Sequence, residues 1–433
     1  MKFIHTADIH LDSPLRGLAA YPDAPAERVR TATRDAFYNL VTRAIEELVD
    51  FVVIAGDVYD GDWKDFHTGL FFVRQMGRLR QVGIPVFLLY GNHDAESEMT
   101  KTLELPDNVH VFSSRKGETF RIETLKVALH GRSFKVAATT DSLLPSYPEP
   151  VPGWFNIGVL HTALEGNAEH ARYAPCSIGE LQAKGYQYWA LGHVHEHWLQ
   201  QGDVTIAYPG NLQGRHIREC GPRGALLVTV EASEITDLER FEVDVLRWHA
   251  LEVDTTPAES MKGAARLAGQ EIERLLDSVE GDLPLAIRVT FVGQSPAHSE
   301  LLGQESQLRQ EVIGQAVALN PDRIWIEKVR VATQAQGAHR TERRADDDSA
   351  DALRELEVIA NSAASDSDFM QSLQQDIQLL LGKLPHEVLQ AMPDLKEMRQ
   401  EPMQHLPALM ERTTTVLMAQ LQESQDLIPG RHP

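Results

Sequence analysis

Five short stretches of the chain end an apolar run in side chains able to hold a cation or move a proton. They are Phe3-Ile4-His5-Thr6-Ala7-Asp8-Ile9-His10, Phe51-Val52-Val53-Ile54-Ala55-Gly56-Asp57, Leu88-Leu89-Tyr90-Gly91-Asn92-His93-Asp94, Ile157-Gly158-Val159-Leu160-His161 and Tyr188-Trp189-Ala190-Leu191-Gly192-His193-Val194-His195. The donors are carboxylate, amide carbonyl and imidazole, without thiolate, a set suited to Mn²⁺, Fe²⁺ or Zn²⁺. Asp8 and His10 stand two residues apart just past an apolar run, so both can reach one ion. His193 and His195 share that spacing and can serve one ion each, which implies two ions. Asp57, with two carboxylate oxygens, is a natural bridge, while Asn92 adds a neutral carbonyl and His161 another imidazole. Two divalent ions roughly 3.5–4 Å apart stabilise both the attacking and the leaving oxygen of an in-line displacement at phosphorus. Phosphoester hydrolysis is the chemistry that suits such a set.

The elements that must position these residues are buried strands. A short aliphatic run that stops at a polar residue reads as a parallel strand buried on both faces, and ligands of α/β sheets bind outside the carboxyl ends of such strands. A lone histidine is more often a core or surface residue than a ligand. Ordered recurrence changes that, because a core does not repeatedly end its strands in unpaired polar groups. Between the runs, Phe37, Leu40, Val41, Ala44, Ile45 and Leu48 fall at helical spacing, as do Phe71, Phe72, Met76 and Leu79, giving a βαβ alternation. From Val109 to His130 the pattern turns to short strands and reads as antiparallel sheet. The stretch from Ser142 to Trp154, broken by Pro145, Pro148, Pro150 and Pro152, reads as a surface loop near the rim of the site.

A chain of 433 residues exceeds what a single core usually supports. The expected organisation is a first domain over 1–240 and a small α+β domain over 245–333, then a polar linker over 334–348 and a helical region over 349–433. Asp and Glu number 63 against 41 Lys and Arg, a formal charge of −22. That disfavours diffuse attraction to phosphate backbones or anionic membranes, so any nucleic-acid contact must be local. Two cysteines, Cys176 and Cys220, lack redox or metal spacing and predict reduced thiols and a cytoplasmic protein. A signal peptide would take away Asp8 and His10, so the N terminus reads as the mature one. No apolar run reaches the ~18–20 residues that span a bilayer, and no membrane association is expected.

In order and in strand context, Asp8-x-His10, Gly56-Asp57-x-x-Asp60, Gly91-Asn92-His93-Asp94, His161 and Gly192-His193-x-His195 resemble the five signatures of the calcineurin-like metallophosphoesterases. The resemblance implies an α/β fold, a two-sheet β-sandwich flanked by helices, followed here by the small α+β domain as a cap and by the C-terminal helical segment. It implies one ion on Asp8, His10, Asp57 and His195 and another on Asp57, Asn92, His161 and His193, with a bridging hydroxide as nucleophile. His93 then binds no metal but stands at the scissile phosphate as general acid or charge stabiliser. Asp60 holds its imidazole, with Asp94 a weaker candidate for that support. Within the superfamily the chain looks most like the SbcD/YhaO-type DNA repair exonucleases. The residues that carry this are His10-Leu11-Asp12-Ser13-Pro14, Gly131-Arg132-Ser133-Phe134 and Tyr208-Pro209-Gly210-Asn211-Leu212-Gln213-Gly214-Arg215-His216, and they favour YhaO. Asp60 stands where the eukaryotic and archaeal members carry a histidine, as in the bacterial pattern, so roles of that histidine do not carry over.

The resemblance further implies Mn²⁺ as the expected metal, DNA as substrate, and an SMC-like ATPase of the SbcC/YhaN type bound through the C-terminal helices, with a homodimer as an option. Arg215 and His216 are candidates to touch substrate phosphate, against the blander reading of a solvated loop. Tyr59 and Trp63 could stack on a base, though packing against the next helix is the stronger expectation, and Arg343-Arg344 reads as solvated linker. His5, His130 and His197 read as structural. The competing functions are a phosphodiesterase or phosphatase for a small nucleotide or a protein, which the net negative charge slightly favours but the second domain and helical tail speak against, and a non-catalytic scaffold, which would need neither the ligands nor His93.

Overall fold

The computed structural model describes residues 1–15, 18, 26–60, 66–96, 103–137, 139–164, 173–279, 281–335 and 366–384, with scattered residues between 356 and 417. The chain runs β1 (Lys2–Thr6), α1 (Ala26–Glu46), β2 (Phe51–Ala55), α2 (Phe66–Gln81), β3 (Val86–Leu89), the short α3 (Asn92–Glu96) and β4 (Val109–Val111). It continues with β5 (Glu118–Ile122), β6 (Val127–Gly131), β7 (Phe155–His161), α4 (Ile178–Ala183), β8 (Tyr188–Gly192), β9 (Trp198–Gln200), β10 (Thr205–Tyr208), β11 (Gly224–Glu231) and β12 (Glu234–Glu242). Two six-stranded sheets result, ordered β12-β11-β1-β2-β3-β4 and β5-β6-β7-β8-β10-β9.

Alternation along the strands builds the layers. Phe3, Phe51, Val53, Phe87 and Leu89 meet Phe155, Ile157, Val159 and Tyr188 between the sheets. Their neighbours Ile4, Val52, Ile54, Val86 and Leu88 point the other way, under Phe37, Leu40 and Val41 of α1 and Phe72, Met76 and Leu79 of α2. Strands so buried on both faces read as continuous apolar runs, which is why they stand out in the sequence. β1, β2, β3 and β4 are mutually parallel, as are β6, β7, β8 and β10, so their carboxyl ends share one edge in each sheet.

Two expectations need correction. Antiparallel pairing between 109 and 130 holds for β5 with β6 alone; β4 continues the parallel run beside β3. The 142–154 stretch is not a rim loop. Leu143, Leu144 and Tyr147 are buried against Trp189 and Tyr186, and the Tyr147 hydroxyl donates to Val159 O at 2.6 Å, so the segment covers the outer face of the second sheet. Its prolines fix a chain that packs by side chains rather than by a ladder.

By internal contacts the chain divides into two compact units, one of residues 1–250, 277–288 and 320–327, the other of 251–276, 289–319 and the residues from 328 on. The later elements are β13 (Arg247–Asp254), α5 (Met261–Ser278), β14 (Leu285–Val292), β15 (Gln294–Ser295), α6 (His298–Gly303), α7 (Glu305–Leu319), β16 (Ile324–Val331) and β17 (Gln334–Ala335). β13, β14 and β16 make a three-stranded sheet in the order β13-β14-β16. α5 buries Met261, Ala264, Ala268 and Ile272, and α7 buries Leu308, Val312 and Ala316, each the i, i+4 stripe of an amphipathic helix. The helix α8 (Ser367–Gly382) is capped by Asp366, whose carboxylate accepts from the Asp368 and Phe369 amides. The expected linker beyond Ala335, most of the helical readings at 349–365 and 406–421, and Trp63, Arg343 and Arg344 lie outside the described residues. Among the described residues no helix is long and apolar enough to cross a membrane.

Candidate metal centre

Each signature side chain leaves the carboxyl end of a strand, and the backbone is bent to put it there. Asp8, His10, Asp12, Asp57 and His193 hold φ of 50°, 45°, 60°, 53° and 101°, a region that L-residues occupy at a cost of roughly 1–3 kcal/mol each. Neighbouring loops hold these turns in place. Asp8 N, His10 N and Leu11 N donate to Gly56 O, Asp57 O and Val58 O at 3.0, 3.1 and 2.9 Å. His193 N donates to both Asp8 oxygens at 3.1 and 2.9 Å, and His93 N to Asp57 Oδ1 at 3.0 Å. The buried Asp94 carboxylate collects the amides of Val58, Tyr59 and Gly91 at 3.2, 3.1 and 3.0 Å. It ties the β2 and β3 loops together, and these backbone amides, not His93, are what it holds.

Two groups of donor atoms converge. Asp8, His10 and His195 each offer a ligand atom within 4.8 Å of the others, and so do Asp57, His161 and His193. Asn92 Oδ1 joins the second group, 3.0 Å from His161 Nε2. Asp57 Oδ2 stands between the groups, 3.3 Å from His161 Nε2 and 4.0 Å from His10 Nε2.

The protons on these rings test whether a cation fits. Glu219 Oε1 lies 2.7 Å from His195 Nδ1 and can only accept, a closer contact than the Arg215 Nη2 donor 3.2 Å from the same nitrogen, so Nδ1 carries the proton and Nε2 a lone pair. That lone pair faces His10 Nε2 at 3.2 Å. Two ligands about 2.1 Å from one ion are about 3–3.4 Å apart, so the spacing is that of a shared cation. His161 Nδ1 likewise donates to Ala55 O at 2.9 Å, which turns its Nε2 toward the oxygens of Asn92 and Asp57. Carboxylate, amide and imidazole donor atoms crowded together in a buried site are the arrangement a divalent ion requires, and the donor set fits one.

The same crowding moves the titrations. Burial would raise Asp57, yet the opposing charges of His161, His10 and His93 hold it well below the usual carboxylate range. Burial would lower His161, but Asp57 and Asp8 raise it to about 9. His10 falls to about 3, through burial first and the Arg215 charge second. Asp94 is pushed up to about 7 by burial and by Asp57. Asp8 is raised, chiefly by burial.

Beside the two groups opens a cleft of about 160 Å³ lined by Ser13, Pro14, Asp60, His93, Arg215 and His216. His93 is 36% exposed in its side chain, and its Nδ1 lies 3.8 Å from Asp60 Oδ1. The same Asp60 oxygen lies 3.6 Å from His10 Nδ1 and 3.7 Å from Arg215 Nη1, and Ser13 Oγ donates to the other at 2.8 Å. Asp60 thus faces His10 as closely as His93, and its carboxyl is held below the ordinary range by His10, Arg215 and Ser13 against the effect of burial. Arg215 Nη1 donates to Ser13 Oγ at 3.3 Å, and His216 Nε2 lies 3.6 Å from Glu219.

All eleven expected site residues therefore meet in one region: Asp8, His10, Asp57, Asn92, His161, His193 and His195 in the two donor groups, and Asp60, His93, Arg215 and His216 around the cleft. Tyr59 is buried edge-on to Phe72 at 6.0 Å and cannot stack on a base. His5, His130 and His197 bond inward, to Tyr188 and Leu191, to Thr119 and Asn156, and to Tyr208. Sequence reasoning missed Glu219, which lies outside the five stretches. Its one signal is a single acid after the bases of Arg215-His216-Ile217-Arg218.

Residues 1–197 match the family described as calcineurin-like phosphoesterase, and residues 248–334 match the middle domain of metallophosphoesterase YhaO. Among solved structures, TT1561 of Thermus thermophilus is 11% identical, covering 55% of this chain and 98% of its own at a TM-score of 0.34. A dimetal phosphatase from Danio rerio is 12% identical, covering 56% and 98% at a TM-score of 0.36. The uncharacterized metallophosphoesterase YhaO of Bacillus subtilis (strain 168) is 33% identical over 300 residues, 68% of this chain and 72% of that one. On the two family matches and the extent of this last relationship, the chain belongs to the calcineurin-like metallophosphoesterases of the YhaO type.

Proposed function

We propose that this metallophosphoesterase is a two-ion phosphodiesterase that cuts DNA as an exonuclease, with endonuclease action as an option, in DNA repair. The observation that carries the two-ion reading is the place of Asp57 Oδ2, 3.3 Å from one donor group and 4.0 Å from the other. Asp8, His10, Asp57 and His195 would hold one divalent ion and Asp57, Asn92, His161 and His193 the other, with Mn²⁺ the metal we expect. Bound there, the ions would acidify a water and neutralise charge at phosphorus. The chain's own residues do the rest. His93, exposed on the cleft side, is placed to give a proton to the leaving oxygen or to offset its charge, with the Asp60 carboxylate 3.8 Å from its Nδ1. Arg215 and His216, which line the same cleft, offer cationic and hydrogen-bonding contacts to the phosphate.

DNA as substrate is supported by the resemblance to SbcD/YhaO-type exonucleases and by the open, polar-lined cleft. The net charge of −22 favours a small diester instead. One assay decides between them: Mn²⁺-dependent degradation of end-labelled linear DNA, wild type beside His93→Ala, with a chromogenic phosphodiester in parallel. Loss of DNA cleavage in the variant supports the nuclease. Turnover of the chromogenic diester without DNA cleavage refutes it for the chain acting alone.

We further propose an SMC-like ATPase as partner of the C-terminal helices. Phe369, Leu379 and Leu380 of α8 are 44%, 65% and 64% exposed, an apolar face that supports docking of another protein. Leu379→Asp with Leu380→Asp should abolish co-purification of the ATPase and leave diester hydrolysis unchanged. Co-purification at the wild-type level would place the partner elsewhere.

A further inference from the structure

We propose that Glu219 is a positioning residue that serves both halves of the site, fixing the proton on His195 and seating Arg215 with the same carboxylate. Glu219 is 5% exposed and all its acceptor capacity is used on this one region. Oε1 accepts from His195 Nδ1 at 2.7 Å and from Arg215 Nη2 at 3.3 Å. Oε2 accepts from Arg215 N at 2.7 Å and from Asn211 Nδ2 at 3.0 Å. The segment it organises is anchored independently: Trp248 Nε1 donates to Gly214 O at 2.8 Å, and the buried Arg223 donates to His195 O at 2.6 Å. Backbone position is therefore shared among several contacts, and what Glu219 adds beyond its bond to Arg215 N is a proton on His195 and a direction for the Arg215 guanidinium.

The proton matters because His195 can bind a cation through Nε2 only while Nδ1 is the protonated nitrogen. A carboxylate behind a metal-binding imidazole enforces that tautomer and raises the basicity of the ring, and its loss typically weakens metal affinity about 10–100-fold. The direction matters because Arg215 reaches the cleft with its amide and its guanidinium both bonded to Glu219. The metal-binding nitrogen and the phosphate-facing cation are thus set by one rigid group.

The inference rests on the two-ion reading, and the full-length protein tests both at once through Co²⁺ titration followed by visible absorption and calorimetry. In Glu219→Gln the amide oxygen can serve Arg215 N and Asn211, leaving the NH₂ to face His195 Nδ1. That forces the lone pair onto Nδ1 and a hydrogen toward the ion. One Co²⁺ should then bind about 10–100-fold more weakly with altered absorption while the other binds as in wild type, matching His195→Gln. Glu219→Asp, which keeps an anionic acceptor, should recover part of the loss. Arg215→Lys, which keeps a cation and the Glu219 carboxylate, should weaken either ion less than Glu219→Gln does and act chiefly by raising KM for a chromogenic phosphodiester. Two unperturbed Co²⁺ sites in Glu219→Gln would overturn the proposal. So would a Glu219→Asp protein that fails to fold, since the residue would then be structural. A wild-type chain that binds fewer than two ions would instead sink the two-ion reading itself.

Discussion

A methyl group at residue 91 should uncouple the fold from the metal centre. Built on the backbone of Gly91, a Cβ would stand 2.3 Å from Asp57 Oδ1, 2.9 Å from Asp57 N and 2.9 Å from His161 Cε1. Carbon and oxygen in their closest favourable contacts sit roughly 3.3–3.6 Å apart, so something must give by about 1 Å. Gly91 N is already bonded to Asp94, so the Asp57 backbone and the His161 ring give by a few tenths of an ångström, and the part that must yield most is the Asp57 carboxylate. Its displacement breaks the bond from His93 N and withdraws Oδ2 from between the donor groups. Overpacking of this kind costs about 1–3 kcal/mol of stability, which a domain of this size survives. A 1 Å misplacement at a reacting centre costs about 100-fold in rate. Gly91→Ala should therefore stay folded, with a melting temperature lowered by a few degrees, while kcat/KM for a chromogenic diester falls about 100-fold or more and divalent-metal affinity weakens. Gly77→Ala is the control: in mid-α2 with no atom within 4 Å of the new methyl, it should stabilise by up to about 1 kcal/mol and leave turnover alone. A Gly91→Ala protein with two tightly bound ions and turnover within threefold of wild type would refute the reasoning.

Other expectations follow from single groups. His93→Ala should lose phosphodiesterase activity about 100–10,000-fold with metal stoichiometry intact, as measured by elemental analysis beside kinetics; loss of an ion would make His93 a ligand. Asp94→Ala leaves the amides of Val58, Tyr59 and Gly91 without their carboxylate, and denaturant melts should show a loss of about 3 kcal/mol or more. His5 is lowered to about 3, chiefly by burial, with its neutral ring bonded to Tyr188 and Leu191. Below pH ~6.5 the unfolded chain binds a proton there that the native state refuses, so stability falls with pH by about 1.4 kcal/mol per unit toward pH ~3. Glutamine can still donate to Leu191 and accept from Tyr188, so metal-free His5→Gln should lose one proton's worth of that slope in denaturant melts between pH 7 and 4.5. Equal slopes in the two proteins would show that His5 titrates normally when folded.

The parts of the fold that were legible share one property: their partners are dictated by burial. β1, β2, β3, β7 and β8 are wrapped on both faces, so their sequences are nearly continuous apolar runs and their ends are sharp. β12 went unseen for the opposite reason. It is an edge strand with Glu234, Thr236, Asp237, Glu239, Arg240 and Glu242 exposed, as edges must be to avoid pairing with other chains, and only Phe241 is buried. The direction of β4 could not be read either, because three half-buried residues, Val109, His110 and Val111, look alike in a parallel and an antiparallel ladder. Glu219 was hidden because its chemistry is tertiary: 24 residues and two strands separate it from His195.

The strained backbone shows why the site residues were nonetheless so visible. Asp8, His10, Asp57 and His193 hold left-handed turns that a loop under no other constraint would give to glycine. Asparagine would tolerate the same φ, so conformation alone does not choose aspartate and histidine there. What distinguishes those side chains is an anionic or imidazole donor aimed at a neighbouring donor group, held by amides donated from the adjoining loop. A burial cost for Asp8 and Asp57, a strain cost for their backbones and the crowding of the His10, His195 and His161 rings against one another and against Asn92 all point in one direction. Each is unfavourable alone, and a pair of divalent cations relieves the electrostatic part of all of them together. The same reasoning orders the effects of metal removal: the sandwich core between Phe3, Phe51, Ile157 and Tyr188 should persist, while the loops that carry Asp8, Asp57 and His193 loosen first. Amide exchange with and without chelator, resolved along β1, β2 and β8 and the loops that follow them, should show protection lost at the strand ends and kept in the strands.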